Sequence, residues 1–132
     1  MNTILLIEDQ LDLRDSLATM LKFEGYRAIE AENGEQGLHL AQQECPDLIV
    51  CEIDLPGLDG LSVLAFLREN QTTSHIPVII LTGNLSNHHH LTAIRLNISA
   101  YLVKPCPAKQ LLSEIVQLLP KPQAPERSLL AA

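Results

Sequence analysis

Apolar and polar positions along the 132 residues fall into an alternation of two periods. Short continuous apolar runs, which suit strands buried on both faces, recur between longer stretches with helical spacing. The runs are Thr3-Ile4-Leu5-Leu6-Ile7, Leu48-Ile49-Val50-Cys51, Ile76-Pro77-Val78-Ile79-Ile80-Leu81 and Ala100-Tyr101-Leu102-Val103. Tyr26-Arg27-Ala28-Ile29-Glu30-Ala31 is a more polar strand, fit for a sheet edge. Between them, Leu13, Leu17, Met20 and Leu21 share one helical face, with Gln10 or Asp12 near its start and Gly25 at its end. Asn33 is placed to cap a second helix with Gly34, Gly37, Leu38 and Ala41 inward and Pro46 as its stop. Leu61, Leu64, Ala65 and Leu67 make a third helix, and residues 84–97, with Leu91, Ile94 and Ile98, make a poorly patterned fourth. Pro107 opens a fifth, with Ala108, Leu111, Leu112, Ile115 and Leu119 on its face.

Five strands alternating with five helices imply a doubly wound α/β fold, because parallel neighbours require crossovers and the helices then cover both faces of the sheet. One domain is expected over 1–119. Pro120, Pro122 and Pro125 forbid a continuing helix, so 120–132 reads as a Pro-rich C-terminal tail.

Composition narrows the function classes. A net charge of −7 argues against a phosphate-backbone partner, hence no nucleic acid, and leaves basic proteins or cations. No apolar stretch reaches membrane-spanning length and the start lacks signal-peptide features, so no membrane is expected. Cys45, Cys51 and Cys106 form no Cys-x-x-Cys pair and read as reduced thiols of a cytoplasmic protein.

In open α/β sheets ligands bind beyond the carboxyl ends of the strands. Those ends carry Glu8 and Asp9, then Glu52 and Asp54, then Thr82, then Lys104. Two like charges about 4 Å apart repel by roughly 4 kcal/mol at an effective dielectric of 20. Such crowding is relieved by a raised pKa, by Lys104 or by a divalent cation, of which Mg²⁺ best suits hard oxygen donors. The first strand ends in Glu8-Asp9-Gln10 rather than a Gly-rich turn, which disfavours a nucleotide or flavin phosphate there.

Ile4-Leu5-Leu6-Ile7-Glu8-Asp9, Pro46-Asp47-Leu48-Ile49-Val50, Leu55-Pro56-Gly57-Leu58-Asp59-Gly60, Ile76-Pro77-Val78-Ile79-Ile80-Leu81-Thr82 and Tyr101-Leu102-Val103-Lys104-Pro105 together resemble a bacterial response-regulator receiver domain (CheY-like). The resemblance implies a flavodoxin-like (βα)5 sandwich with sheet order 2-1-3-4-5. It implies an Mg²⁺ site at Glu8, Asp9, the acceptor position and the backbone carbonyl of Asp54. It further implies Thr82 and Lys104 as phosphoryl contacts, Tyr101 as the switch aromatic and a cis bond before Pro105. The partners implied are a histidine kinase, a phosphotransfer protein or an effector. A homodimer stays open, Ser113, Glu114 and Gln117 on the last helix being too few polar groups to specify one.

The sequence departs from that family at the acceptor itself. Four residues before Pro56, where the family has the Asp that takes the phosphoryl group, stands Glu52. Its extra methylene, about 1.5 Å of reach, drives the carboxylate toward Lys104 and Thr82 and misplaces the attacking oxygen. The expectation is a phosphorylation-independent two-component response regulator, not an enzyme. The alternatives are a kinase-controlled receiver with a slow or relocated acceptor and, more remotely, a small Mg²⁺-dependent phosphohydrolase using Asp54. His88-His89-His90 reads as a solvated loop or helix start, at a place where the resemblance implies partner contacts.

Overall fold

The computed structural model describes residues 1–119, so the stretch 120–132 expected to form the tail lies outside the described residues. The elements run β1 (Thr3–Ile7), α1 (Leu11–Phe23), β2 (Arg27–Ala31), α2 (Gly34–Glu44), β3 (Leu48–Cys51), α3 (Gly60–Glu69), β4 (Val78–Thr82), α4 (Asn87–Arg95), β5 (Ala100–Val103) and α5 (Ala108–Leu118). The strands form one parallel sheet in the order β2-β1-β3-β4-β5, the flavodoxin-like arrangement. The polar strand β2 does lie at an edge, and the largely apolar β1, β3 and β4 occupy the centre.

Alternation along the central strands sorts their side chains between two cores. Leu5, Ile7, Ile49, Cys51, Val78 and Ile80 face α2, α3 and α4. Ile4, Leu6, Leu48, Val50, Ile79 and Leu81 face α1 and α5, against Leu17, Leu21, Leu111 and Ile115. Among the described residues no helix is long and apolar enough to cross a membrane.

Helix boundaries differ from the sequence reading where local hydrogen bonds intervene. Asn33 caps α2 as expected, its side chain accepting from the Gln36 N–H at 2.8 Å. Cys45 rather than Pro46 terminates that helix, in the left-handed conformation with φ 44°. On α3 the inward positions are Val63, Leu64 and Leu67, while Leu61 and Ala65 are only half-buried. α4 starts three residues late, at Asn87. Asn84 Oδ1 accepts from the Ser86 N–H at 2.9 Å and so holds 84–86 as a turn, and Ser86 then caps the helix. Pro107 is the N-cap of α5 rather than its first turn.

Arg68, near the end of α3, clamps two loop segments. Its guanidinium donates to Leu96 O at 2.9 Å, Ser74 O at 3.1 Å, Ile76 O at 2.8 Å and Asn97 O at 3.1 Å. Arg68→Ala strands these carbonyls, and urea unfolding should show a loss of about 2–3 kcal/mol. Arg68→Lys should recover little of it, because an ammonium cannot reproduce the planar fork.

Candidate functional site

The carboxyl ends of the strands bring most of the expected residues together. β1 delivers Glu8, which is 4% exposed, and β3 delivers Glu52, which is 6% exposed. Both are carried past their strands by ladder hydrogen bonds, Glu8 N–H to Ala31 O and Glu52 N–H to Ile7 O. β5 leads into Lys104, whose N–H donates to Thr82 O at 2.9 Å, and the Lys104–Pro105 bond is cis. The Lys104 ammonium then lies between the two acids, 2.6 Å from Glu8 Oε1 and 2.8 Å from Glu52 Oε1.

The second oxygen of each acid is also engaged. Glu52 Oε2 accepts from the backbone N–H of Ile53 at 2.6 Å and of Asp54 at 3.2 Å. Glu8 Oε2 accepts from Gln10 N–H at 3.1 Å. Gly60 permits the close approach behind Glu52, because a Cβ at that position would strike the Glu52 carbonyl oxygen.

Two buried carboxylates thus share one ammonium. Burial pushes the Glu8 carboxyl up from its ordinary value of 4.5, and the bonds to Lys104 and Gln10 only partly oppose this. Burial also works against the Lys104 ammonium, but its hydrogen bonds to Glu52 and Glu8 outweigh that and hold its pKa above 10.5. Because Glu8 binds its proton more tightly folded than unfolded, its contribution lowers stability as pH rises through the window above 4.5. Glu8→Gln removes that linkage. Relative to wild type, the variant should gain stability from pH 5 to pH 8 in paired urea titrations.

The remaining residues stand outside this triad. Asp9 is exposed. Asp54 is exposed too, its side chain turned to Asn84, with Nδ2 donating to Oδ1 at 3.1 Å. Thr82 is fully buried and its Oγ1 accepts from Asn84 N–H at 3.1 Å. Tyr101 packs at the edge of the core below α2, α3 and α4, and its hydroxyl donates to Asn84 O at 3.0 Å. The His90 ring stacks on Tyr101, centroids 4.2 Å apart and planes 21° apart.

Asn84 therefore ties Asp54, Thr82 and Tyr101 into one network, and sequence reading missed it. Its place two residues after Thr82, at the same strand end, was the available signal. Arg14 was missed as well. It is buried on α1, donates to Glu8 O at 2.8 Å and lies 3.4 Å from Glu30 Oε1.

The donors as arranged do not fit Mg²⁺. Glu8 Oε1 and Glu52 Oε1 both end on an ammonium, and the other Glu52 oxygen is held by two backbone N–H groups. Among the described residues no group of three or more His, Cys, Asp and Glu side chains is disposed to hold a metal ion.

A parallel sheet with this strand order, and with acids, a hydroxyl and an ammonium at one edge, is the framework of a receiver. The response regulator receiver domain family matches residues 4–116, and the chain belongs to that family. Protein PilH of Pseudomonas aeruginosa is 35% identical over 119 residues, spanning 90% of this chain and 98% of PilH. The probable transcriptional regulator ycf27 of Cyanophora paradoxa is also 35% identical, over 95% of this chain but 51% of ycf27. The match to histidine kinase P4 of Formosa agariphila takes in 89% of this chain and 8% of the kinase. The chain thus spans about half or less of several curated relatives. Among solved structures, a CheY-like receiver domain protein from Methanospirillum hungatei superposes with a TM-score of 0.85 at 26% identity, covering 89% of this chain and 92% of its own. The chemotaxis protein CheY4 of Vibrio cholerae shares the fold, with a TM-score of 0.84 at 24% identity over 90% of this chain and 99% of its own. Apart from the kinase, these relatives of the chain are two-component response regulators.

Proposed function

We propose that this receiver works through protein–protein contacts without being phosphorylated, with Glu52 standing at the position of the acceptor Asp. The observation that carries this reading is the Glu52–Lys104 contact of 2.8 Å, made while the other Glu52 oxygen is fixed by the N–H groups of Ile53 and Asp54. A side chain satisfied on both oxygens is poorly placed to attack phosphorus, because nucleophilic displacement needs an oxygen free and aligned. Its charge instead meets the ammonium that a phosphoryl group would otherwise meet.

The Tyr101 hydroxyl on Asn84 O, beside buried Thr82, supports an inward switch aromatic coupled to that site. Glu52 is therefore a partial mimic, with one charge and two acceptor oxygens in place of nearly two charges and three oxygens. Mg²⁺ has no required part in this state. The partners are a kinase, phosphotransfer protein or effector reading a fixed surface.

Incubation of the full chain with acetyl phosphate and Mg²⁺, followed by intact-mass measurement, tests the reading. The unmodified mass is expected. Acid-labile phosphate on Glu52 would overturn it in favour of a slow but competent acceptor, and phosphate on Asp54 would favour a relocated one.

A further inference from the structure

Tyr101 is held by two contacts from the β4–α4 turn and the start of α4. Its hydroxyl donates to Asn84 O at 3.0 Å, and its ring stacks on the His90 imidazole, centroids 4.2 Å and planes 21° apart. Neither contact uses Glu8, Glu52 or Lys104. Packing alone does not wedge the ring. Tyr101 is only partly buried, and a concavity of about 260 Å³ walled by Leu85, Ser86, Asn87, His90 and Val103 adjoins it.

Local hydrogen bonds explain why His90 is the residue that meets the ring. Asn84 Oδ1 accepts from Ser86 N–H at 2.9 Å, Ser86 Oγ accepts from His89 N–H at 3.4 Å, and Ser86 O accepts from His90 N–H at 3.1 Å. These bonds fix where α4 begins, and hence which side chain of its first turn faces β5. Asn84 therefore acts twice: its side chain sets the turn that presents His90, and its carbonyl takes the Tyr101 hydroxyl. The hydroxyl bond fixes only the tip of the ring, whereas the stack fixes its plane. An offset, near-parallel aromatic pair is worth about twofold to tenfold in an equilibrium beyond the area it buries.

We propose that His90 is a positioning residue for Tyr101, its stacked imidazole holding the switch aromatic in the observed rotamer from α4. Calling Tyr101 the switch rests on the function proposed above, whereas the contacts that hold the ring do not. Glu52 then supplies a constant charge at the strand ends, and His90 supplies the constraint on the aromatic. Intact-mass labelling reads the first and a rotamer measurement reads the second, so each can fail alone.

The test is the χ1 rotamer of Tyr101 in the ¹³C,¹⁵N-labelled full chain, read by NMR from the three-bond couplings of its Cγ to the backbone N and C′. Wild type should show one dominant rotamer. His90→Ala should lower the ratio of that rotamer to the others by about twofold to tenfold, the loss of one aromatic pair. His90→Phe should restore the ratio, because a phenyl ring stacks in the same way and does not repair a general loosening of α4. His90→Gln is a second variant without the stack should the alanine form fold poorly. Tyr26, 3% exposed in the opposite core, is the internal reference and should not change. Glu52→Gln, which leaves both contacts to Tyr101 in place, should keep the wild-type ratio. An unchanged Tyr101 ratio in the folded His90 variants, no recovery with phenylalanine, a matching change at Tyr26, or an equal loss in Glu52→Gln would each overturn the assignment.

Discussion

Lys104→Met should cost about 3–5 kcal/mol of stability at pH 7, the range for removing one partner of a buried ion pair. The ammonium is the only cation bonded to the carboxylates of Glu8 and Glu52 among the described residues, and both acids are nearly inaccessible to water. Methionine keeps most of the apolar stem, so the loss reports charge rather than packing. With ordinary domain stabilities of 5–15 kcal/mol, thermal unfolding should fall by about 10–20 °C.

Two controls separate this from general damage. Adding Glu8→Gln should restore part of the loss, because one uncompensated carboxylate has gone; a double variant no better than Lys104→Met would remove the shared-ammonium account. Lowering pH should also narrow the gap to wild type. Without Lys104 less opposes the burial of Glu8, whose folded carboxyl then holds its proton more tightly than the unfolded chain does, so the destabilisation fades as it protonates.

If Glu52 silences the site as proposed, Glu52→Asp should let the chain take up phosphoryl groups from acetyl phosphate. Shortening by one methylene withdraws the carboxylate about 1.5 Å from Lys104, freeing an oxygen and leaving the ammonium to meet an incoming phosphoryl group. The surrounding parts are already assembled, with Lys104 tied to Thr82 through the backbone and Thr82 buried at the end of β4. Intact-mass measurement over an hour in buffer with Mg²⁺ should show a phosphorylated species in the variant and none in wild type. If the variant stays unlabelled, the substitution at 52 is not what silences the site.

How much of this was legible beforehand depends on how local the cause is. The apolar runs of β1, β3 and β4 and the acids that end them are set by the neighbouring residues, so both the sheet and its functional edge could be read. Asn33 as a cap follows from its own side chain in the same way. Arg68 could not be read, because its partners at Ser74, Ile76, Leu96 and Asn97 meet only after α3, β4 and α4 have packed. Asn84 was hidden for a similar reason, since its partners Asp54 and Tyr101 lie 30 and 17 residues away and meet it only in the folded sheet. That Glu52 would reach Lys104 was expected from length alone, but the sharing of Lys104 with Glu8 depends on side-chain placement that spacing does not encode. The phase of α3 was misjudged because Leu61 and Ala65 are as apolar as Val63, and only the close approach at Gly60 fixes the rotation.

The pairing of Glu52 with Lys104 bears on time as much as on shape. A phosphoryl group on an acceptor is a perishable mark, with a half-life set by hydrolysis. A carboxylate written into the polypeptide has no such clock. On the reading proposed above, the domain's signal lasts as long as the chain itself, and its strength would be metered by synthesis and proteolysis rather than by a kinase.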